Sequence, residues 1–399
     1  QFQIMAPMAL LAGLIGIGFG ALNAADIYWL PSISPLFSSI ALIGGIFILF
    51  FQLGEKIIQP EYAMMGGLVL AWGTLIGATL QWLIQVPPLW RAGLGKLRFR
   101  FNFQNPGVQE ITKVMIPATL SSGMLHINVY TDLFFASYIP QAAASLGYSG
   151  LLVQTPLGII SNVILVPFLP IFSRLAAPEN WQDLKYRIRQ ALVLTAITML
   201  PLSAVMVTLA LPIIRVVYER YAFDLSASKF VASVLMAYAV GMFVYLGRDV
   251  LVRVFYALGD GETPFKVSVF NIFLNALLDY LLINAFGAPG LVLATVGVNL
   301  ISMVIFLWLL DRKLGGLPWG EWLIPFASLI AGSLATALVC WTVLSGSQLM
   351  LGSEGFFVQL LELALASFSG LGIFGLIVMK MNLPEVDIFV GRIRQKLGI

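Results

Sequence analysis

The sequence predicts an all-α, polytopic membrane protein with about eleven transmembrane helices. Only 10% of its 399 residues are charged and 59% are hydrophobic, whereas a soluble domain carries about 25% charged residues. Apolar runs of the roughly 20 residues that a helix needs to cross a bilayer recur from end to end. The strands of a membrane β-barrel would be about ten residues long with alternating polarity, and no part of the sequence alternates in this way.

Eleven apolar runs are the expected transmembrane helices, and the longest of them must tilt, bend or extend beyond the hydrocarbon layer. In chain order they cover approximately residues 5–23, 33–51, 64–86, 111–139, 147–173, 190–214, 229–257, 264–285, 289–310, 322–344 and 356–379.

Lys and Arg are distributed unevenly between the two sets of loops that join these spans. One set, with its helix edges, holds sixteen basic residues, and the other holds four. The sixteen are Arg91, Lys96, Arg98, Arg100, Lys113, Arg174, Lys185, Arg187, Arg189, Lys266, Arg312, Lys313, Lys380, Arg392, Arg394 and Lys396, and the four are Lys56, Arg215, Arg220 and Lys229. Because cytoplasmic loops carry the excess of Lys and Arg, we expect the first set in the cytoplasm. The net charge of +3 is spread over separate loops, which argues against nucleic acid as a partner.

Two spans end alike, which suggests an internal repeat. The first span ends with Phe-Gly-Ala-Leu-Asn at 19–23 and is followed by Pro31, and the seventh ends with Phe-Tyr-Ala-Leu-Gly at 255–259 and is followed by Pro264. Transporters are commonly built from such repeats. Chance similarity between two apolar segments is the alternative.

A genuine repeat implies two six-helix lobes in the same orientation, because the two similar spans lie six helices apart. The first three helices of the first lobe would then precede this sequence, so we expect an N-terminally truncated, two-lobe exporter architecture. The expected organisation is a remainder of the N-terminal lobe (1–86), a basic cytoplasmic linker (87–110), a C-terminal six-helix lobe (111–313), and two additional helices with a cytoplasmic tail (314–399).

Enzymatic chemistry is not indicated. The single histidine, His126, excludes a multi-histidine metal site, and no phosphate-binding glycine loop is present. The long polar loop 87–110 contains a single acid, Glu110. The lone cysteine, Cys340, excludes an internal disulfide. We therefore expect neither catalysis nor a cofactor or metal.

Ionisable and amide side chains within membrane spans are costly and by default mark a transport pathway. The candidates for a cavity or substrate-binding site lie on two spans: His126, Asn128, Asp132, Asn271, Asn275 and Asp279. On each span the members four residues apart share a helix face. The alternative is an interhelical hydrogen-bond cluster that serves packing alone.

A second polar group lies near the end of the seventh span. Arg248, Asp249 and Arg253 are candidates for a cytoplasmic gate or an ion pair, since Asp249 and Arg253 have the i,i+4 spacing that suits such a pair. In the turn that follows, we expect Thr263 to cap the next helix, with Pro264 at its first position.

Four stretches in order resemble the MurJ/MviN family of lipid II flippases, within the superfamily of multidrug, oligosaccharidyl-lipid and polysaccharide exporters. They are GATLQWLIQVPPLWRAG (77–93), IPATLSSGMLHINVYTDLFFASYIP (116–140), QTPLGIISNVILVPFLPIFSRL (154–175) and RDVLVRVFYALGDGETPFKVSV (248–269). The resemblance implies fourteen helices in a complete member. It also implies translocation of the undecaprenyl-linked peptidoglycan precursor across the bacterial inner membrane by alternating access.

The resemblance further implies a lipid-linked oligosaccharide as substrate, with membrane lipids and cell-wall synthesis proteins as partners. The sequence departs from the family at Gly150 and Leu151, where many members have an acidic residue or Asn followed by Arg. Two alternatives remain open at this point. One is an exporter of another polyprenyl-linked oligosaccharide or of a small cation, and the other is a non-transporting membrane scaffold.

Overall fold

A computed structural model describes residues 1–27, 29–94, 104–352 and 355–381, and these residues form α-helices joined by short turns and 3-10 segments. The helices are α1 (Phe2–Met5), α2 (Met8–Ala24), α3 (Trp29–Ile33), α4 (Pro35–Leu53), α5 (Ala63–Leu83), α6 (Val86–Arg91), α7 (Pro106–Ala136), α8 (Ala142–Arg174), α9 (Trp181–Thr208), α10 (Ala210–Tyr218), α11 (Leu225–Val240), α12 (Met242–Ala257), α13 (Glu262–Phe286), α14 (Ala288–Lys313), α15 (Trp319–Leu351) and α16 (Phe356–Lys380).

Ten segments of the described chain are long and apolar enough to cross a membrane. They are Phe2–Ala24, Trp29–Ile57, Ala63–Arg91, Ala142–Arg174, Pro178–Thr208, Leu225–Ala257, Glu262–Phe286, Ala288–Lys313, Trp319–Met350 and Phe356–Lys380. Each overlaps one predicted span. The remaining predicted span, 111–139, is helical as α7 but is not among the ten. The prediction of a polytopic, all-α membrane protein is confirmed, and the described residues contain no strand.

The chain divides into two compact units, Gln1–Thr112 and Lys113–Ile399. The finer organisation into lobes and additional helices stays a prediction. Residues 95–103 of the expected basic linker lie outside the described residues, and so does the tail beyond residue 381.

In the first unit, glycines let α4 and α5 pack with their backbones close together. A Cβ added at Gly77 would lie 2.7 Å from Ser38 Cα, and one at Gly73 would lie 3.2 Å from Leu42 Cα. Neither position has room for a larger side chain. Small residues at such contacts are typical of helix association in membranes, where close packing replaces the hydrophobic effect as the driving force.

In the second unit, α9 is the most enclosed helix, with Leu184, Ile188, Ala191 and Met199 fully buried. Its neighbours α8, α11, α12 and α14 share one apolar core with it. Helices α15 and α16 pair through small residues and pack on α9. Cys340 lies in that pair as a free, buried thiol.

The turn after α12 is a Schellman motif. Gly259 has a φ of +74°, and its N–H donates to the Tyr256 carbonyl (3.0 Å) while the Asp260 N–H donates to the Phe255 carbonyl (2.9 Å). These two bonds satisfy carbonyl groups that the end of a helix would leave unpaired, and glycine adopts the left-handed conformation without a Cβ clash.

Asp260 then caps α13. Its Oδ1 accepts from the Thr263 N–H (3.0 Å) and its Oδ2 from the Thr263 hydroxyl (2.9 Å). The prediction that Thr263 caps the helix and that Pro264 is its first residue was wrong, because α13 begins at Glu262 after Gly261, and the side chain that accepts from its first turn is that of Asp260. Pro264 still lies in the first turn, where a missing N–H leaves no intrahelical bond unmade.

Asp260 also joins this turn to the end of α14, because Lys313 Nζ donates to Asp260 Oδ2. Burial alone would raise the pKa of Asp260, but the hydrogen bonds from Lys313 and Thr263 lower it below its usual value. Asp260 therefore joins three helix ends, through its backbone N–H to α12 and through its carboxylate to α13 and α14.

Helix α2 ends in the same motif as α12. Asp26 has a φ of +59°, its N–H donates to the Asn23 carbonyl (3.1 Å), and the Ile27 N–H donates to the Leu22 carbonyl (2.9 Å). The motif matches Asp26 with Gly259, the same offset that matches Pro31 with Pro264. This alignment is shifted by three residues from the one that pairs Asn23 with Gly259 in the sequence. Roughly a third to a half of helices also end with a left-handed residue, so the likeness adds nothing to the case for an internal repeat, which stays a prediction.

Candidate functional site

Three helices of the second unit bring polar side chains together around Asp132 of α7. Asn275 of α13 donates through Nδ2 to Asp132 Oδ1 (2.8 Å) and to Asp279 Oδ2 (2.7 Å). The Thr295 hydroxyl of α14 donates to Asp132 Oδ2 (3.1 Å). We call Asp132, Asn275, Asp279 and Thr295 the acidic cluster. One amide thus bridges two carboxylates from different helices.

The local geometry of α13 explains how its residues reach the cluster. Asn271, Asn275 and Asp279 recur every four residues, so they form one polar stripe on the helix. Asn275 and Asp279 are fully buried and Asn271 is 4% exposed. The stripe packs against α14, where the Ser302 hydroxyl donates to Asn271 Oδ1 (2.7 Å).

Of the six predicted cavity residues, the structure joins three in the acidic cluster and places a fourth, Asn271, next to it on the same stripe. His126 is exposed, and its ring lies 6.4 Å from that of Tyr130. Asn128 lies one turn before Asp132 on the same face of α7, and its Oδ1 is buried without a hydrogen-bond partner among the described residues. The mutual bonding favours an interhelical cluster for the α13 residues, and their substrate-binding role stays a prediction.

The charge of the acidic cluster is not balanced by a basic side chain. The two carboxylates lie close together because both accept from the Asn275 amide, and no Lys or Arg in the described residues bonds or pairs with either of them. Two buried carboxylates at this separation repel each other when both are ionised. A shared proton or a bound cation would remove that repulsion.

The chemistry of the donor set fits a hard, oxygen-seeking cation or a proton. All of its side-chain acceptors are oxygens, which suit such cations, whereas soft or imidazole-preferring metals need sulfur or nitrogen. No group of three or more His, Cys, Asp or Glu side chains with metal-binding geometry occurs in the part of the chain that the structure describes.

The second predicted group lies on α12. Arg248 Nη1 donates to Asp249 Oδ1 at 3.2 Å. Among the described residues no salt bridge joins Asp249 to Arg253, although Arg253 lies within electrostatic reach of Asp249. Arg248 is nine residues from Ala257, the last residue of α12, so it lies about 14 Å along the axis from the helix end. A gate role for this group stays a prediction.

Sequence reasoning missed the partners that α14 contributes. Thr295, Asn299 and Ser302 lie on one face of α14, and Thr295 and Ser302 bond to the α13 stripe or to Asp132. These three residues are four and three positions apart in the sequence, and that spacing indicates only weakly that they share a helix face. Thr and Ser also bond routinely to the carbonyl four residues earlier, as Thr295 does to Leu291 (3.3 Å), so they give no clear sign of a site.

Comparison with known proteins agrees with the earlier resemblance. A family model described as lipid II flippase MurJ matches residues 1–362. A Synechocystis protein named probable lipid II flippase MurJ is 56% identical over 396 residues, which cover 99% of this chain and 74% of the relative. The lipid II flippase MurJ of Burkholderia cenocepacia is 26% identical over 353 residues, which cover 86% of this chain and 66% of that protein.

A solved structure titled lipid II flippase MurJ, inward closed conformation, has a similar fold. Its TM-score against this chain is 0.72 at 20% sequence identity, and the match covers 94% of this chain and 73% of that one. At this identity the likeness concerns the fold.

Proposed function

This chain belongs to the lipid II flippase MurJ family, and from that membership we propose that the protein translocates the undecaprenyl-linked peptidoglycan precursor lipid II across the bacterial inner membrane. The family model over residues 1–362 carries the proposal, and the 56% identity to the Synechocystis relative supports it. A flippase is a transporter rather than an enzyme. The ten apolar spans agree with a multi-pass protein of the inner membrane.

The proposed mechanism is alternating access, in which two lobes expose a central site to one side of the membrane and then to the other. The acidic cluster supports a role in that cycle, because intramembrane carboxylates without basic partners are costly and mark transport or coupling sites. Hydrogen bonds between α7, α13 and α14 would have to rearrange if these helices move relative to one another. The interacting molecules are the lipid-linked precursor and membrane lipids, and cell-wall synthesis proteins are proposed partners.

Depletion of the protein in the source organism tests the function. We expect lipid-linked precursor to accumulate on the cytoplasmic leaflet and peptidoglycan synthesis to stop. Continued synthesis, with lipid II still reaching the outer leaflet, would overturn the proposal. Binding of lipid II compared with other polyprenyl diphosphate sugars then separates this substrate from related oligosaccharide carriers.

Variants of the acidic cluster distinguish transport from a scaffold role. Replacing Asp132 or Asn275 by an apolar residue should abolish growth support if the protein is a flippase. A scaffold predicts normal growth with these variants and loss of partner recruitment when the basic loops are deleted. Protein abundance in the membrane must be measured alongside growth, so that loss of folding is not taken for loss of transport.

A further inference from the structure

Tyr245 on α12 has a buried hydroxyl without a partner. Its oxygen is sealed from solvent and makes no hydrogen bond in the described structure. Buried tyrosine hydroxyls usually find a partner. An unpaired one is unfavourable because the group has lost its hydrogen bonds to water. The position therefore needs an explanation that packing alone does not provide.

The surroundings of Tyr245 place it beside the acidic cluster. A Cβ added at Gly241 would lie 2.9 Å from Tyr245 Cε2 and 2.4 Å from Val296 Cγ2, so the tyrosine ring and Val296 meet at this glycine. Val296 directly follows Thr295, which donates to Asp132. Tyr245 also packs on the apolar group that contains Ala136, one turn from Asp132 on α7, and its hydroxyl lies within electrostatic reach of Tyr238 and, more weakly, of Asp132.

Two acceptors of the same region lack donors. Asp279 Oδ1 on α13 and Asn128 Oδ1 on α7 are both buried without a hydrogen bond among the described residues. The region thus contains one unused donor on α12 and two unused acceptors on α13 and α7. A conformation that brought the donor to one of these acceptors would relieve the mismatch.

We infer that Tyr245 is a positioning residue for the acidic cluster, whose hydroxyl donates to the Asp132 or Asp279 carboxylate in another conformation of the transport cycle. In that conformation it replaces a bond from Asn275 or Thr295 that is made here. The inference rests on the proposed function, since it needs a cycle with at least two conformations. A contact made in one state and absent in the other shifts the equilibrium between them.

Removing the hydroxyl tests this role without changing the shape of the ring. Tyr245→Phe in the complete protein deletes one oxygen that is unbonded in the present conformation, so thermal stability should stay equal or rise. The transport rate per folded molecule should fall on the order of tenfold or more, as expected for losing a hydrogen bond to a charged group. Substrate affinity should stay unchanged, because Tyr245 acts on the conformational step.

Tyr256→Phe is the matched control, because Tyr256 lies on the same helix and is 55% exposed. It should match the wild type in both stability and rate. The assay compares purified wild type and both variants in vesicles that contain lipid II, with maximal rate and half-saturating substrate concentration measured separately. The melting temperature of each protein is recorded in the same detergent.

Each outcome decides the inference. A slower maximal rate with equal or higher melting temperature supports it. A Tyr245→Phe rate equal to that of the control overturns it, and so does a slower rate with a lower melting temperature, since the hydroxyl would then be bonded in the present conformation. Failure of the wild type to move lipid II would refute the proposed function itself and remove the basis of the inference, a result visible before any variant is compared.

Discussion

Asn275→Ala tests whether the acidic cluster stabilises the second unit. The substitution removes the two hydrogen bonds from Nδ2 to the carboxylates of Asp132 and Asp279, at 2.8 and 2.7 Å. The bond to Asp132 joins two helices and the bond to Asp279 lies within α13. Interhelical hydrogen bonds in a membrane protein contribute about 0.6 kcal/mol on average and at most about 1.7. Bonds to charged groups lie at the upper end, and the carboxylates stay buried, so we expect a loss of about 2–3 kcal/mol in the free energy of unfolding.

Asn271→Ala is the matched control for this substitution. Both asparagines are buried on the same face of α13, so the cavity that alanine leaves is similar. Asn271 loses one bond from the Ser302 hydroxyl (2.7 Å), and Ser302 keeps its bond to the Val298 carbonyl (2.8 Å). The expected loss from the missing bond is about 0.6–1 kcal/mol.

Denaturant-induced unfolding of the purified proteins in one detergent, followed by tryptophan fluorescence, measures the difference. Asn275→Ala should have the lower midpoint, by an amount that corresponds to about 1.5 kcal/mol relative to Asn271→Ala. If Asn275→Ala is as stable as Asn271→Ala, the bridge between the carboxylates does not stabilise the fold and the reasoning is refuted.

The remaining predictions concern two helix junctions. Asp260→Ala should lower the free energy of unfolding by about 1–2 kcal/mol, because it loses both the cap and the Lys313 pair. Asp260→Asn should lower it by less, because asparagine also caps helices. Equal melting temperatures for the two variants would contradict the capping role. Since the pKa of Asp260 is lowered in the folded state, its charge stabilises the fold above the unfolded value of about 3.9 and loses this effect as pH falls through the folded pKa. The difference in melting temperature between wild type and Asp260→Asn should therefore be constant from about pH 6 to 8 and shrink below about pH 4; a difference that grows on acidification would be inconsistent with this sign. Gly77→Ala should destabilise the first unit by about 1–3 kcal/mol, because its Cβ would meet backbone at 2.7 Å. Gly66→Ala on the same helix, with its nearest neighbour at 4.0 Å, should leave the melting temperature equal or slightly higher, because alanine favours the helix.

Part of the site could be predicted from the sequence, because charge and amide groups are conspicuous in apolar spans. Asp132, Asn275 and Asp279 were recognised in this way, and the four-residue spacing correctly put the α13 residues on one face. Thr295 was not recognised, because threonine is common in helices and can satisfy its own hydroxyl within the helix. Tyr245 was also missed, since nothing in the sequence shows that its hydroxyl lies beside the cluster without a partner.

The turn after α12 shows a second limit of the sequence. The Gly-Asp-Gly-Glu-Thr-Pro stretch predicted a break between two helices, and the break is present. The sequence predicted Thr263 as the capping residue, and the structure shows Asp260 accepting hydrogen bonds from Thr263 instead. Asp260 also pairs with Lys313, 53 residues away, a contact that the local sequence does not show.

The sequence by itself determined the class of this protein, the approximate position of its spans and its family. These properties follow from local composition and order, since a span of about 20 apolar residues is stable only in a bilayer. The tertiary structure alone decided which polar groups meet. Asp132 lies 143 residues from Asn275 and 163 from Thr295, and no periodicity along one helix encodes a contact between helices. Their pairing depends on the packing of α7, α13 and α14, because buried polar groups in a membrane must find partners in whichever neighbouring helix the fold places beside them.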